Sequence, residues 1–215
     1  MQIAIIGAGN VGRALASSLT KAGHDVTITA EHAEHAAEAA TQAGATAGTS
    51  NADAARGAQV VVFAVPAAAI GQIAGDMGSS LHGKVVIDVT NRPTPTPDGG
   101  ATSIAEELQG QLPDAHVVKA FNTLFASRQA NPQLGGIAAD GYVAGNDATA
   151  KQTVLDVVES VGFRPVDAGS LASARTLEGM AWLNIQRALA GGTWQDAWVL
   201  VGPETVAAAD ADGRN

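Results

Sequence analysis

Residues 3–12 constrain this chain more than any other stretch. They read Ile-Ala-Ile-Ile-Gly-Ala-Gly-Asn-Val-Gly. The apolar run Ile3 to Ile6 suits a short buried strand. It leads directly into glycines spaced G-x-G-x-x-G at Gly7, Gly9 and Gly12, and a helical pattern opens with Val11, Leu15 and Leu19 on one face. Strand, tight turn and helix in this order form a dinucleotide-binding fingerprint. Gly7 permits the turn and Gly9 lets the backbone approach a pyrophosphate. Gly12 lets helix and strand pack closely, with the phosphates over the helix N-terminus.

The alternation then continues. Asp25 to Thr29 reads as a second strand, 31–43 as an Ala-rich helix, 45–49 as a short strand and 51–56 as a short helix. Residues 60–65 are wholly apolar, as in a strand covered on both faces of a parallel sheet. Pro66 ends that strand, and a helix is expected over 67–77. Strands follow at 85–89, 117–121, 141–144 and 164–166, with helices at 103–109, 147–161 and 171–190. Ser103 and Glu106 have capping-box spacing, and Asp147 precedes its helix as a cap. PTPTPDGG, residues 93–100, reads as a loop, and the polar end 210–215 as a frayed tail. The pattern predicts an α/β fold, a doubly wound parallel sheet of Rossmann type with a small C-terminal helical addition. One domain is expected over 1–203, with a tail over 204–215. Ligands of such sheets sit at the carboxyl ends of the strands. That rule singles out Gly7 to Gly12, Ala30-Glu31, Val65-Pro66, Thr90-Asn91 and Phe121-Asn122-Thr123.

Composition removes several classes of function. With no cysteine, the 215 residues hold no disulfide, thiolate nucleophile or Cys-ligated metal centre. A formal charge of −9 disfavours nucleic acid and anionic membrane as partners. No apolar run approaches the roughly 20 residues needed to cross a bilayer. The opening residues pass straight into a strand without a basic region, so the expected location is cytoplasmic. The histidines show no metal-ligand spacing: His32 and His35 lie on an exposed-looking helix without a third ligand, and no metal is expected. GxSxG is absent, and Asp88 and Asp167 read as structural hydrogen-bonding groups.

Taken together, IIGAGNVGRALA, FAVPAAAI, VVIDVTN, VVKAFNT, VAGNDATAK and GFRPVDAGSLASARTLE resemble the family of F420-dependent NADP oxidoreductases. Relatives of that family include the cytosolic domain of the transmembrane ferric reductases. The likeness runs from Met1 to about Ala190. It implies a Rossmann domain, hydride transfer with nicotinamide, and a homodimer. It implies backbone contacts from Asn10 and Val11 to the pyrophosphate, and a nicotinamide-ribose site lined by Val65 and Pro66. Asn91, over the same crevice, is either part of that site or a turn former. Asn122 and Thr123 are the candidates for the reacting end. The family often carries His at the position of Asn122; Asn cannot titrate, but it can donate a hydrogen bond to a ring carbonyl.

This chain departs from the family at the end of its second strand. NADP-using members place a small hydroxyl residue and then Arg there; here the pair is Ala30-Glu31, followed by His32. Glu31 lies nineteen residues after Gly12, near the spacing at which a carboxylate binds a ribose diol. Either Glu31 accepts from the ribose and favours NAD, or it turns outward and leaves His32, His35 or Arg13 near the 2′-phosphate of NADP. The second substrate implied is coenzyme F420 or a flavin. The alternatives are a soluble flavin or ferric reductase and a dinucleotide-binding sensor without turnover. Lys119, Phe125 and Arg128 flank the reacting strand end: Phe125 as ring platform or core, Arg128 for an anionic tail or a surface carboxylate. Ser170 and Arg175 open the last helix, with Ser170 read as its cap. Trp182, Trp194 and Trp198 form either a satellite core or, as favoured here, a dimer seam.

Overall fold

Alternation along the first strand fixes the layers. In the computed structural model, which describes residues 1–92 and 102–202, β1 (Gln2–Ile6) turns Ile3 and Ile5 to one face of a sheet and Ala4 and Ile6 to the other. All four are buried, because helices cover both faces. One face packs against α1 (Asn10–Lys21), α2 (Ala33–Ala43) and α7 (Ala148–Ser160) through Leu15, Leu19, Ala39 and Val154. The other packs against α3 (Asn51–Gly57), α4 (Ala67–Met77) and α5 (Ile104–Gln111) through Ala55, Ile70, Met77 and Leu108.

The remaining strands are β2 (Asp25–Thr29), β3 (Thr46–Ala47), β4 (Val60–Phe63), β5 (Val85–Asp88), β6 (His116–Lys119), β9 (Asp140–Gly145) and β10 (Arg164–Asp167). They join β1 in an eight-stranded sheet of order β10-β9-β6-β5-β4-β1-β2-β3. From β3 to β6 every pairing is parallel, and the order reverses between β1 and β4, which makes that crevice the topological switch point. The structure departs from an all-parallel sheet at one edge. β9 runs antiparallel to β6, and β10 follows β9 in parallel. A short antiparallel pair, β7 (Gln133–Leu134) and β8 (Ile137–Ala138), lies beyond α6 (Ala126–Ala130). Periodicity announced none of these three, because each is too short to show a period.

Several boundaries shift from those expected. β4 and β6 end two residues early, at Phe63 and Lys119, because the chain leaves the ladder where the crevice begins. The strand expected at 45–49 shrinks to Thr46–Ala47 at the sheet edge. The last helix starts late: Leu171–Ser173 forms a tight 3-10 turn, and α8 spans Ala174–Leu189. Ser170 caps nothing with its side chain; the amide of Leu171 donates instead to Asn146 Oδ1 at 2.9 Å. The other two caps read from sequence are present. Ser103 and Glu106 bond reciprocally, and Asp147 accepts from the amide of Ala150. The loop 93–100 and the whole segment 204–215 expected as a tail, its polar end 210–215 included, lie outside the described residues.

A buried carboxylate helps to hold the C-terminal segment. Asp140 accepts from Arg164 Nε at 2.6 Å, from the Tyr142 hydroxyl at 3.1 Å and from the amide of Leu200 at 2.6 Å. Burial and the Asp140 charge push the Tyr142 hydroxyl up to about 12.

Candidate functional site

The sheet register aligns the predicted strand ends. Ile6 pairs with Thr29 on one side and Phe63 on the other, Phe63 pairs with Asp88, and Asp88 with Lys119. The residues that follow these rungs leave the sheet side by side along one edge: Gly7, Ala30, Ala64-Val65-Pro66, Val89 to Asn91, and Ala120 to Thr123.

At the switch point the glycines have separate tasks. Gly7 has φ +111°, and a Cβ on it would collide with the carbonyl of Ala64. A Cβ on Gly12 would collide with the carbonyl of Gly7, so helix and turn touch there. Gly9 differs: nothing lies within 4 Å of where its Cβ would stand. Its missing side chain leaves open space before α1, whose N-terminus carries no capping side chain and no acidic residue in its first turn. Backbone amides facing an unfilled, uncapped helix start form an anion cradle, and a pyrophosphate fits it.

At the end of β2, Thr29 is buried and donates through Oγ1 to Asn51 at 2.6 Å. Ala30 is half-buried, while Glu31, His32 and His35 are exposed; the two imidazoles meet edge to face at 5.4 Å. Glu31 forms no ion pair among the described residues. Arg13 is engaged already: Nε donates to the Ala8 carbonyl at 2.9 Å, and the guanidinium reaches Glu38 at 3.0 Å and Gln42 at 3.1 Å. Arg13 also holds the Glu38 carboxyl below the usual carboxylate range.

At the other half of the crevice Phe121 adopts φ +61°, the only positive φ outside glycine among the described residues. This costly turn is held by its burial, by an edge-to-face contact with Phe163 at 6.1 Å, and by Gln129 Nε2 on its carbonyl at 3.0 Å. It swings Asn122 back toward Asn91. Asn91 Nδ2 donates to the Asn122 carbonyl, and Asn122 Nδ2 donates to Asn91 Oδ1, both at 2.9 Å. The backbone carbonyl anchors the first bond and thereby fixes the orientation of both amides. Asn122 is 4% exposed, and its Oδ1 has no partner. Asn122 Nδ2 thus gives one of its two N–H groups to Asn91, and its Oδ1 is left as an unpaired acceptor. Thr123 is buried beside it, and its carbonyl accepts from Asn184 Nδ2 of α8 at 3.1 Å.

The flanking residues differ from expectation. Lys119 closes β6 at this strand end, but its side chain is wholly buried against Asp88. Arg128 meets no carboxylate among the described residues: it donates to the Gln133 carbonyl at 3.0 Å and to Gln195 Oε1 at 3.1 Å. Arg175 is bound to Glu106 at 2.6 and 2.8 Å. Phe125 is half-buried and meets Trp194 edge to face at 5.2 Å. Asp88 and Asp167 are hydrogen-bonded as expected, Asp167 to Lys151 at 2.9 Å. Sequence reasoning missed Gln129, which folds back on the carbonyls of Phe121 and Leu124, and Glu178 and Asn184, whose contacts bridge distant segments. Among the described residues no cluster of three His, Asp or Glu could hold a metal, and no helix is long and apolar enough to cross a membrane.

Comparison with known proteins agrees with this geometry. A family profile described as NADP oxidoreductase coenzyme F420-dependent matches residues 2–92. The F420-dependent NADP reductase of Methanothermobacter marburgensis is 32% identical over 199 residues, covering 83% of this chain and 88% of its own length. The metalloreductase STEAP3 of Rattus norvegicus is 30% identical over 82% of this chain, which spans only 36% of that protein's length. A crystal structure of a candidate F420-dependent NADP reductase from Arthrobacter sp. FB24 matches with a TM-score of 0.84 at 30% identity, covering 94% of this chain and 100% of the other.

Proposed function

The chain belongs to the family of coenzyme F420-dependent NADP oxidoreductases, and on that premise we propose that it transfers a hydride between NADP(H) and a deazaflavin, coenzyme F420, or a flavin. One observation carries this reading: the open cradle at Gly9 and the Asn91–Asn122–Thr123 cluster stand along the same sheet edge. The nicotinamide and the acceptor ring supply the redox chemistry when bound. The chain itself binds, orients and excludes water. Gly7, Gly9, Asn10, Val11 and Gly12 hold the pyrophosphate through the turn and the helix start. Ala30 and Glu31 meet the adenosine ribose, and Val65 and Pro66 line the nicotinamide ribose. Asn91, Asn122 and Thr123 form the wall against which the reacting rings align, with Phe125 at its margin. Asn122 titrates over no accessible pH, and direct carbon-to-carbon transfer asks for alignment rather than a proton relay.

The adenosine end supports a second reading of the cofactor. Glu31 is unpaired and Arg13 is already bound to Glu38 and Gln42, so the described rim offers NADP's 2′-phosphate no uncommitted arginine and offers the diol of NAD a carboxylate. The likeness to a metalloreductase supports a metal as the final acceptor, which keeps the flavin or ferric reductase as the alternative reading. The reading extends to a cytoplasmic homodimer joined through the C-terminal region, where Leu183, Leu189, Trp194, Leu200 and Val201 are each at least half exposed.

Mixing the purified protein with NADPH or NADH and either F420 or FMN, and following the loss of acceptor absorbance, tests the proposal. Catalytic bleaching supports it. Tight dinucleotide binding with no turnover on either acceptor would replace it with a sensor.

A further inference from the structure

Behind the Asn91–Asn122 wall, on the side away from the cradle, lies a charge cluster that the proposed chemistry does not use. Lys119 Nζ is wholly buried and donates to Asp88 Oδ2 at 2.8 Å, to the Thr90 carbonyl at 2.6 Å and to Glu178 Oε1 at 3.1 Å. Asp88 Oδ1 accepts from the amide of Thr90 at 2.8 Å and from its hydroxyl at 2.7 Å. Glu178, on α8, also accepts from the amide of Ile104, and Arg92 Nε stands 3.9 Å from its other oxygen. Two turns further along α8, Asn184 donates to the Thr123 carbonyl.

A buried lysine with two carboxylates is a costly way to fill a core, since apolar residues of similar size stabilise as well or better. What the cluster supplies is direction. Past β5 its hydrogen bonds fall on Thr90, the residue before Asn91, and the bond from Asn184 falls on Thr123, the residue after Asn122. The two residues that meet across the wall are thus each held one position away: Thr123 by α8 directly, and Thr90 by Asp88 and Lys119, which α8 reaches through Glu178. Phe121 needs such restraint, because its positive φ is not the conformation a phenylalanine selects by itself.

We propose that Lys119, Glu178 and Asn184 are positioning residues through which α8 fixes the ends of β5 and β6 in the geometry of hydride transfer. This rests on the reading of the Asn91–Asn122–Thr123 wall as the reacting end. A helix that fixes the wall acts on alignment and leaves the cradle at Gly9 untouched, so it separates turnover from dinucleotide affinity.

The test uses Asn184→Leu and Glu178→Leu, with Glu178→Gln as the conservative variant that keeps an acceptor for Lys119 and Ile104. In the two leucine variants kcat falls at least about tenfold while the dinucleotide Kd stays within about twofold, and Glu178→Gln recovers most of kcat. A second readout needs no cofactor: hydrogen exchange of the Asn91 and Asn122 side-chain amides, followed by NMR, accelerates in the leucine variants while backbone amides of β1 keep their protection. Unchanged exchange and unchanged kcat would overturn the proposal, as would kcat losses that only track a fall in Tm and in cofactor affinity. If Glu178→Leu does not fold, Asn184→Leu decides alone. A wild-type protein without turnover overturns the proposed function instead, and the exchange measurement then decides the brace.

Discussion

Gly9 and Glu31 show how much a single residue can decide in this crevice. Gly9 sits at φ −75°, a conformation open to any residue, and faces empty space. A side chain there costs the fold nothing and occupies the room a phosphate needs. Gly9→Val is therefore expected to weaken dinucleotide binding about tenfold or more, ~1.4 kcal/mol or above, with Tm unchanged. Isothermal titration beside a melting curve checks it; a Tm drop with intact affinity would give Gly9 a structural role instead. Gly12→Ala should do the opposite, destabilising the turn itself through the collision with Gly7. Glu31 sets the balance between the two cofactors. Glu31→Arg replaces a repelling charge by a fork suited to phosphate, so the NADPH-to-NADH ratio of kcat/KM should rise about tenfold or more. An unchanged ratio would place Glu31 away from the ribose.

At the scale of the element, α5 illustrates a helix held at its first turn from two sides. Ser103 and Glu106 form the capping box, and Arg175 clamps the same carboxylate from α8. The Arg175 guanidinium is the main reason that Glu106 titrates at about 2 rather than its ordinary 4.5, helped by the bonds from Ser103. A depressed folded-state value means that this stabilisation is complete above pH 4.5 and is lost as pH falls from there toward 2. Glu106→Gln should lower Tm at pH 7 and lose its difference from wild type progressively across that acid window. A constant difference down to pH 2 would show that the carboxylate charge contributes nothing. Losing the cap itself costs about 1 kcal/mol in typical helices.

At the scale of the whole molecule, most of the exposed large apolar side chains among the described residues fall in the C-terminal quarter. Of the three indoles, Trp182 and Trp198 are half-buried, whereas Trp194 is 52% exposed although it touches Phe125. The seam and the satellite core expected as alternatives thus both have support in one segment, which Asp140 pins to the sheet through Leu200. Sedimentation velocity at micromolar concentration should give a dimer, and Leu183→Glu with Leu189→Glu should give a monomer that keeps its Tm within a few degrees. A wild-type monomer would remove the homodimer from the proposal.

The first half of the sheet was legible in the sequence because its signals are local. Four apolar residues before a glycine turn, a buried run at 60–63 and reciprocal Ser103–Glu106 spacing each express steric or hydrogen-bonding rules that act within a few residues. They fix the alternation of strand and helix, and with it the edge on which Gly7, Ala30, Val65, Asn91 and Asn122 stand. Asn122 was legible as a position but not in its orientation, because its partner Asn91 lies thirty-one residues away. The reversal of β9 and β10 was not legible either, since a strand's apolar pattern reads the same in both directions. Lys119 looked like a residue at the margin of the crevice, and only the meeting of 88, 119 and 178 turns it inward. What the sequence determined by itself is the cradle and the order of the layers, which depend on neighbours along the chain. Which polar atoms remain free at the reacting end, and which helix holds them, was decided by the tertiary structure alone, because hydrogen bonds between distant segments exist only once the sheet has brought them within 3 Å.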